Sequence, residues 1–114
     1  MQHPDARGFK VALVQGELLQ PTEGRVDALK VLASEDWGAI QLPSADYPDE
    51  VAAPLLEQAA EQAEEFHRHG YLLAVVGRRR GLDEALAVYG LERPPSIDPT
   101  SEVELREWLC DLIA

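Results

Sequence analysis

Three short apolar runs, Phe9–Val14, Trp37–Leu42 and Tyr71–Val76, are separated by stretches of helical periodicity. The third run is apolar at every position and is closed by Gly77. The first is broken only by Lys10 and closed by Gly16, and Pro43 stops the second. Apolar runs of four to eight residues bounded by Gly or Pro fit buried strands. A strand without a polar side needs cover on both faces, and parallel sheets flanked by helices supply it.

The intervening segments carry helix signals. Pro21-Thr22-Glu23 is expected to open a helix with Thr22 as its cap. Val26, Leu29, Leu32 and Ala33 would share one face of that helix, with Arg25, Asp27 and Lys30 opposite. The longest helix is expected from about Asp49 to His69, with Pro54 near its start, where a missing N–H does least harm. Its apolar stripe reads Val51, Leu55, Ala59, Ala63 and Phe66, and Glu57, Glu61, Glu64 and Glu65 lie mostly off it. Arg68 and His69 suit the carbonyl end of the dipole, and Gly70 supplies the C-terminal cap. Leu82 to Tyr89 reads as a short helix stopped by Gly90. The stretch Arg93–Pro99 has room for a very short edge strand at Ser96-Ile97. Ser101-Glu102-Val103-Glu104 has the form of a capping box opening a last helix, with Leu105, Trp108, Leu109 and Leu112 on one face.

Strand and helix therefore alternate, which implies an α/β fold with a parallel sheet and right-handed crossovers. The expected architecture is a small three-layer sandwich, a sheet of three or four strands flanked by helices. In pattern it resembles flavodoxin-like, receiver-like and Rossmann-like topologies. At 114 residues the chain is one domain by size. Residues 1–8 are expected to be a disordered lead-in, and residues 9–114 a single α/β domain. So small a sheet leaves edges that need cover from another copy or a partner.

Charge narrows the function classes. Twenty-one acidic residues against ten basic ones give a net charge of -11. Affinity for nucleic acid comes largely from cations neutralising phosphates, and an anionic membrane repels the same field, so neither is an expected partner. The first residues lack the apolar stretch of a signal peptide, and no apolar run nears the length of a membrane helix, so the expected location is cytoplasmic. The single cysteine, Cys110, excludes an intramolecular disulfide and a cysteine-built zinc site. Its acidic neighbours Glu107 and Asp111 oppose a reactive thiolate, and it is expected to be a buried or half-buried structural thiol.

In an open parallel sheet, ligands bind beyond the carboxyl ends of the strands. Gln15-Gly16-Glu17, the segment from Gln41 to Tyr47 and the loop Gly77–Gly81 should converge there. The rim candidates are thus Glu17, Ser44 and Asp46. The most distinctive feature is Arg78-Arg79-Arg80 between Gly77 and Gly81, just ahead of a helix. Guanidinium groups bind phosphate or carboxylate bidentately, so this loop is the candidate anion site. The alternative reading is a solvated basic loop that offsets local acidity or pairs with Glu residues.

Familiar catalytic patterns are missing. No P-loop, Rossmann glycine triplet or Gly-x-Ser-x-Gly elbow occurs. A receiver domain needs an acidic pair after its first strand, a phosphoacceptor Asp after its third and a Lys after a fifth. Here a single acid, Glu17, follows the first strand and arginines follow the third. His67 and His69 are two apart and face different directions on a helix, a poor metal pair, so no metal site is expected. Glu17 or Asp46 could serve acid–base or Mg²⁺ chemistry, and the sequence leaves the cofactor open. Trp37 reads as core. Trp108 reads as core or as the anchor of an interface, where aromatics concentrate. The preferred reading is a non-catalytic interaction or regulatory module that self-associates as a homodimer or docks on a protein partner. The alternative is an enzyme or sensor with a small-anion site at the strand ends.

Overall fold

The computed structural model describes residues 9–19 and 26–114, and the expected lead-in, His3 and the Pro21–Arg25 helix start lie outside them. The described elements are β1 (Lys10–Gln15), α1 (Ala28–Ser34), β2 (Trp37–Leu42), α2 (Asp49–Arg68), β3 (Leu72–Val76), α3 (Leu82–Val88), β4 (Ser96–Ile97) and α4 (Glu102–Ile113), with a 3₁₀ turn at Gly16–Leu19 after β1. The four strands form one all-parallel sheet in the order β2-β1-β3-β4. This is the expected α/β sandwich with flavodoxin-like topology, and the fourth strand exists at Ser96-Ile97.

The pleat divides the core in two. Val11 and Leu13 of β1, Ile40 and Leu42 of β2, and Leu73 and Val75 of β3 face α2 and α3. Ala12 and Val14 of β1, with Ala74 and Val76 of β3, face α1 and α4. Side chains alternate across a strand, so one uninterrupted apolar run supplies both layers. β4 is two residues long and pairs with Val75 and Val76 of β3; at its flanks the Val75 amide donates to the Pro95 carbonyl at 2.8 Å, and the Gly77 amide to the Ile97 carbonyl at 2.7 Å.

Several local expectations are corrected. The first helix begins at Ala28, and its cap is Asp27, whose carboxylate accepts from the Lys30 amide at 3.2 Å. Thr22 is therefore not the cap of this helix, and Asp27 serves a backbone N–H rather than simply facing water. Ala28, Val31 and Leu32 are buried beside Val26, whereas Leu29 and Ala33 are exposed. On α2 the expected stripe is one residue out of phase over its first half. Ala52 and Leu56 are buried and Val51 and Leu55 are exposed, while Ala59 and Ala63 are buried as expected. Alanines on several faces blur the phase of this helix. Phe66 is half-buried, its ring tilted against Tyr71. The Ser101 hydroxyl caps α4 by accepting from the Glu104 amide at 3.1 Å. The reciprocal half of the box is replaced: the Glu104 carboxylate accepts from the Thr100 hydroxyl at 2.6 Å.

Trp37 is buried, with Lys10 Nζ 5.8 Å from the ring centroid and donating to the Glu35 carbonyl at 2.9 Å. Trp108 is half-buried against the α1/α4 layer. Cys110 is exposed, contrary to the expected buried thiol, because the inner face of α4 is taken by Leu105 and Leu109. Among the described residues no helix is long and apolar enough to cross a membrane.

Deleting a fully buried side chain leaves a cavity as well as losing transfer free energy. Leu13→Ala should lower unfolding free energy by about 2–5 kcal/mol in urea titration. Val103→Ala, at an exposed position on α4, should shift it by no more than about 0.5 kcal/mol.

Candidate functional site

β1 sends the chain toward β2 on one side, and the next strand, β3, lies on its other side. The crevice of such a sheet lies between the carboxyl ends of these two central strands. The three expected segments do meet there. Gln15 spans the gap: its side-chain oxygen accepts from the Arg78 amide at 2.8 Å, and its Nε2 donates to Glu17 at 3.0 Å. The Glu17 carboxylate also accepts from the Ala45 amide at 3.2 Å, tying down the loop after β2. In that loop the Ser44 hydroxyl accepts from the Asp46 amide at 3.4 Å, and Asp46 itself is exposed.

The crevice is closed by the protein's own atoms. A Cβ on Gly16 would lie 3.0 Å from the Leu42 carbonyl oxygen and 3.3 Å from the Ser44 nitrogen. Gly77 has φ +98°, and a Cβ there would stand 2.7 Å from the Gln15 side chain. Only glycine combines that conformation with so close an approach. Glu17 and Ser44 therefore act as loop fasteners in this arrangement.

The arginine loop divides in direction. Arg78 points outward and pairs with Asp98 at 2.6 Å, and Arg80 pairs with Asp49 at 2.9 Å. Exposed pairs of this kind contribute little to stability. Arg79 turns inward and is only 7% exposed. Its Nη2 donates to the Tyr47 carbonyl at 3.3 Å, and its buried Nε has no hydrogen-bond partner. A hollow of about 470 Å³ lies over this loop, lined by Ala45, Tyr47, Pro48, Asp49 and the three arginines. Gly81, at φ +87°, makes the turn into α3.

The described histidines and the cysteine lie elsewhere. His67 and His69 are at the carboxyl end of α2, hence at the amino end of the sheet. Cys110, in the last turns of α4, lies toward that same far end. Among the described residues no three His, Cys, Asp or Glu side chains gather as a metal-binding set. The sequence marked the arginine run but not the opposite orientation of its members. Nor did it mark Asp49 and Asp98 as partners, because both come from distant parts of the chain.

No protein-family model, no curated protein and no solved structure matches this chain. Topology defines its class: a four-stranded, flavodoxin-like parallel α/β domain.

Gln15 holds two loops at once, so Gln15→Ala should cost about 1–2 kcal/mol of stability. The same change should speed hydrogen exchange at the Arg78 amide. Unchanged exchange there would show that the carboxamide does not hold the loop.

Proposed function

We propose that this chain is a non-catalytic interaction module that pairs with a second copy of itself along the outer edge of β2. The observation carrying this reading is the chemistry of that edge. β2 reads Trp-Gly-Ala-Ile-Gln-Leu: six residues without a charge or a proline, paired among the described residues with β1 on one side only. Sheet edges ordinarily carry charges, prolines or bulges, or are very short. The opposite edge, β4, is two residues long.

The surroundings of β2 support the same reading. A groove of about 460 Å³ follows the strand, lined by Ala39–Pro43, Tyr47, Leu55, Gln58, Ala59 and Gln62. None of these side chains is charged, in a chain where 27% of residues are. Val51, Leu55, Gln58 and Gln62 follow a 4-3-4 spacing and so form one strip along α2. Tyr47, Val51 and Leu55 are large exposed apolar residues at 43%, 48% and 38%.

A two-fold axis beside β2 would bring the same neutral strip from both copies together, the isologous arrangement usual for dimers. Antiparallel pairing of the two β2 strands would join two four-stranded sheets and satisfy the outward N–H and C=O groups. The rest of the surface carries the charge of -11 and repels its copy. That repulsion also disfavours nucleic acid and anionic membrane as partners. A reducing cytoplasm suits the exposed thiol of Cys110.

Light scattering or sedimentation at about 100 μM should give a dimer, within reach of a micromolar Kd. Salt should tighten it, because screening weakens like-charge repulsion while the apolar strip is unaffected. Leu55→Glu should weaken association at least about tenfold, equivalent to about 1.4 kcal/mol. Val88→Glu, on α3, should leave it unchanged. A strict monomer at every salt concentration would refute the reading.

A further inference from the structure

Arg79 is a buried cation without a counter-ion among the described residues. A guanidinium offers five N–H donors. Arg79 makes one hydrogen bond, a 3.3 Å contact to the neutral Tyr47 carbonyl. No carboxylate lies within ion-pair distance among the described residues. Buried charges are ordinarily paired, because desolvation without a partner is costly. Asp49 and Asp98 are engaged by Arg80 and Arg78, and Glu57 and Glu84, which line a neighbouring hollow with Arg79 and Arg80, make no ion pair with Arg79.

The hollow over the loop reverses the charge of the molecule. Its lining sets Arg78, Arg79 and Arg80 against a single acid, Asp49, in a chain whose net charge is -11. At about 470 Å³ its volume falls within the range of small-molecule sites. The crevice between β1 and β3 is filled by Gln15, so space for a ligand at this end of the sheet lies beside the arginine loop, under the chain that joins β2 to α2.

We propose that this hollow binds the oxyanion group, phosphate or carboxylate, of a small ligand, with Arg79 as the principal partner and Arg78 and Arg80 as flanking cations. The Nη1 and Nη2 ends of the Arg79 fork give a planar oxyanion two parallel hydrogen bonds. The exposed pairs of Arg78 with Asp98 and Arg80 with Asp49 exchange readily with solvent, so both side chains can turn to the ligand. The hollow lies within one copy of the chain, and the site does not depend on pairing at β2.

The test is thermal unfolding of the full chain in inorganic phosphate and, separately, in citrate, each against sodium chloride of equal ionic strength. A saturable rise in Tm in one or both is expected, and the responding anion separates phosphate from carboxylate recognition. Arg79→Met should abolish the rise. In chloride alone it should melt no lower than the native chain, since it keeps the packed stem and removes an unpaired buried charge. Arg79→Lys retains the charge but loses the fork, and should weaken binding about tenfold. It also serves should the Met variant not fold. Arg93→Met, whose arginine pairs with Asp83 away from the hollow, should respond like the native chain, as should Leu55→Glu. No rise beyond the chloride control, or an equal rise in the Arg79 variants, overturns the proposal.

Discussion

Burial of β1 and β3 on both faces is the constraint from which the rest of the molecule follows. Val11, Leu13, Leu73 and Val75 need one helical layer, and Ala12, Val14, Ala74 and Val76 need another. Parallel neighbours cannot be joined by a tight turn, so each connection crosses a face of the sheet and places a helix there. Ala12 and Ala74 share a buried layer with side chains of α1 and α4, and Arg106 links these helices by bonds to Ser34 at 2.7 Å and Glu35 at 3.0 Å. With both faces covered, the two sides of the sheet, at β2 and β4, are where backbone is left unpaired among the described residues. One side, β4, is two residues long, and the other, β2, is six.

The same arrangement sets where a ligand can sit. The split between β1 and β3 gathers three loops at the carboxyl ends of the strands, but Gln15 and Gly77 close that space with protein atoms, and Gly16 packs as tightly against the end of β2. A fastened crevice and an inward-facing arginine beside it describe a domain whose loops are held in place rather than open for chemistry. The features able to engage other molecules are consequently peripheral. One is the neutral edge of β2, and the other is the basic hollow under the loop that follows it. Tyr47 belongs to both, lining the edge groove and accepting from Arg79 at its carbonyl.

Much of the fold was legible because it depends on strong, local signals. Tyr71–Val76 can hardly be anything but a buried strand, and α2 is long enough to read within one residue of its ends. The fourth strand was readable only as a possibility, since two residues carry almost no periodicity. The phase of α2 was misread because Leu55 and Leu56 are equivalent by composition, and only packing against β2 and α3 decides between them. That misreading hid the most informative surface, as Val51 and Leu55 were assigned to the core. The start of α1 was misplaced because Thr22 and Asp27 are both good caps, and tertiary packing of Ala28 and Val31 selects the second. The arginine run was visible in the sequence, but which arginine turns inward depends on Tyr47, thirty-two positions away.

The central claim is that the outward N–H groups of β2 find their partners in a second copy. Hydrogen exchange of the segment Trp37–Leu42, compared between dilute and concentrated protein, tests it most directly. Protection of β2 that grows with concentration, while β1 and β3 exchange at the same slow rate throughout, is the predicted result. Exchange at β2 that is independent of concentration would contradict the account.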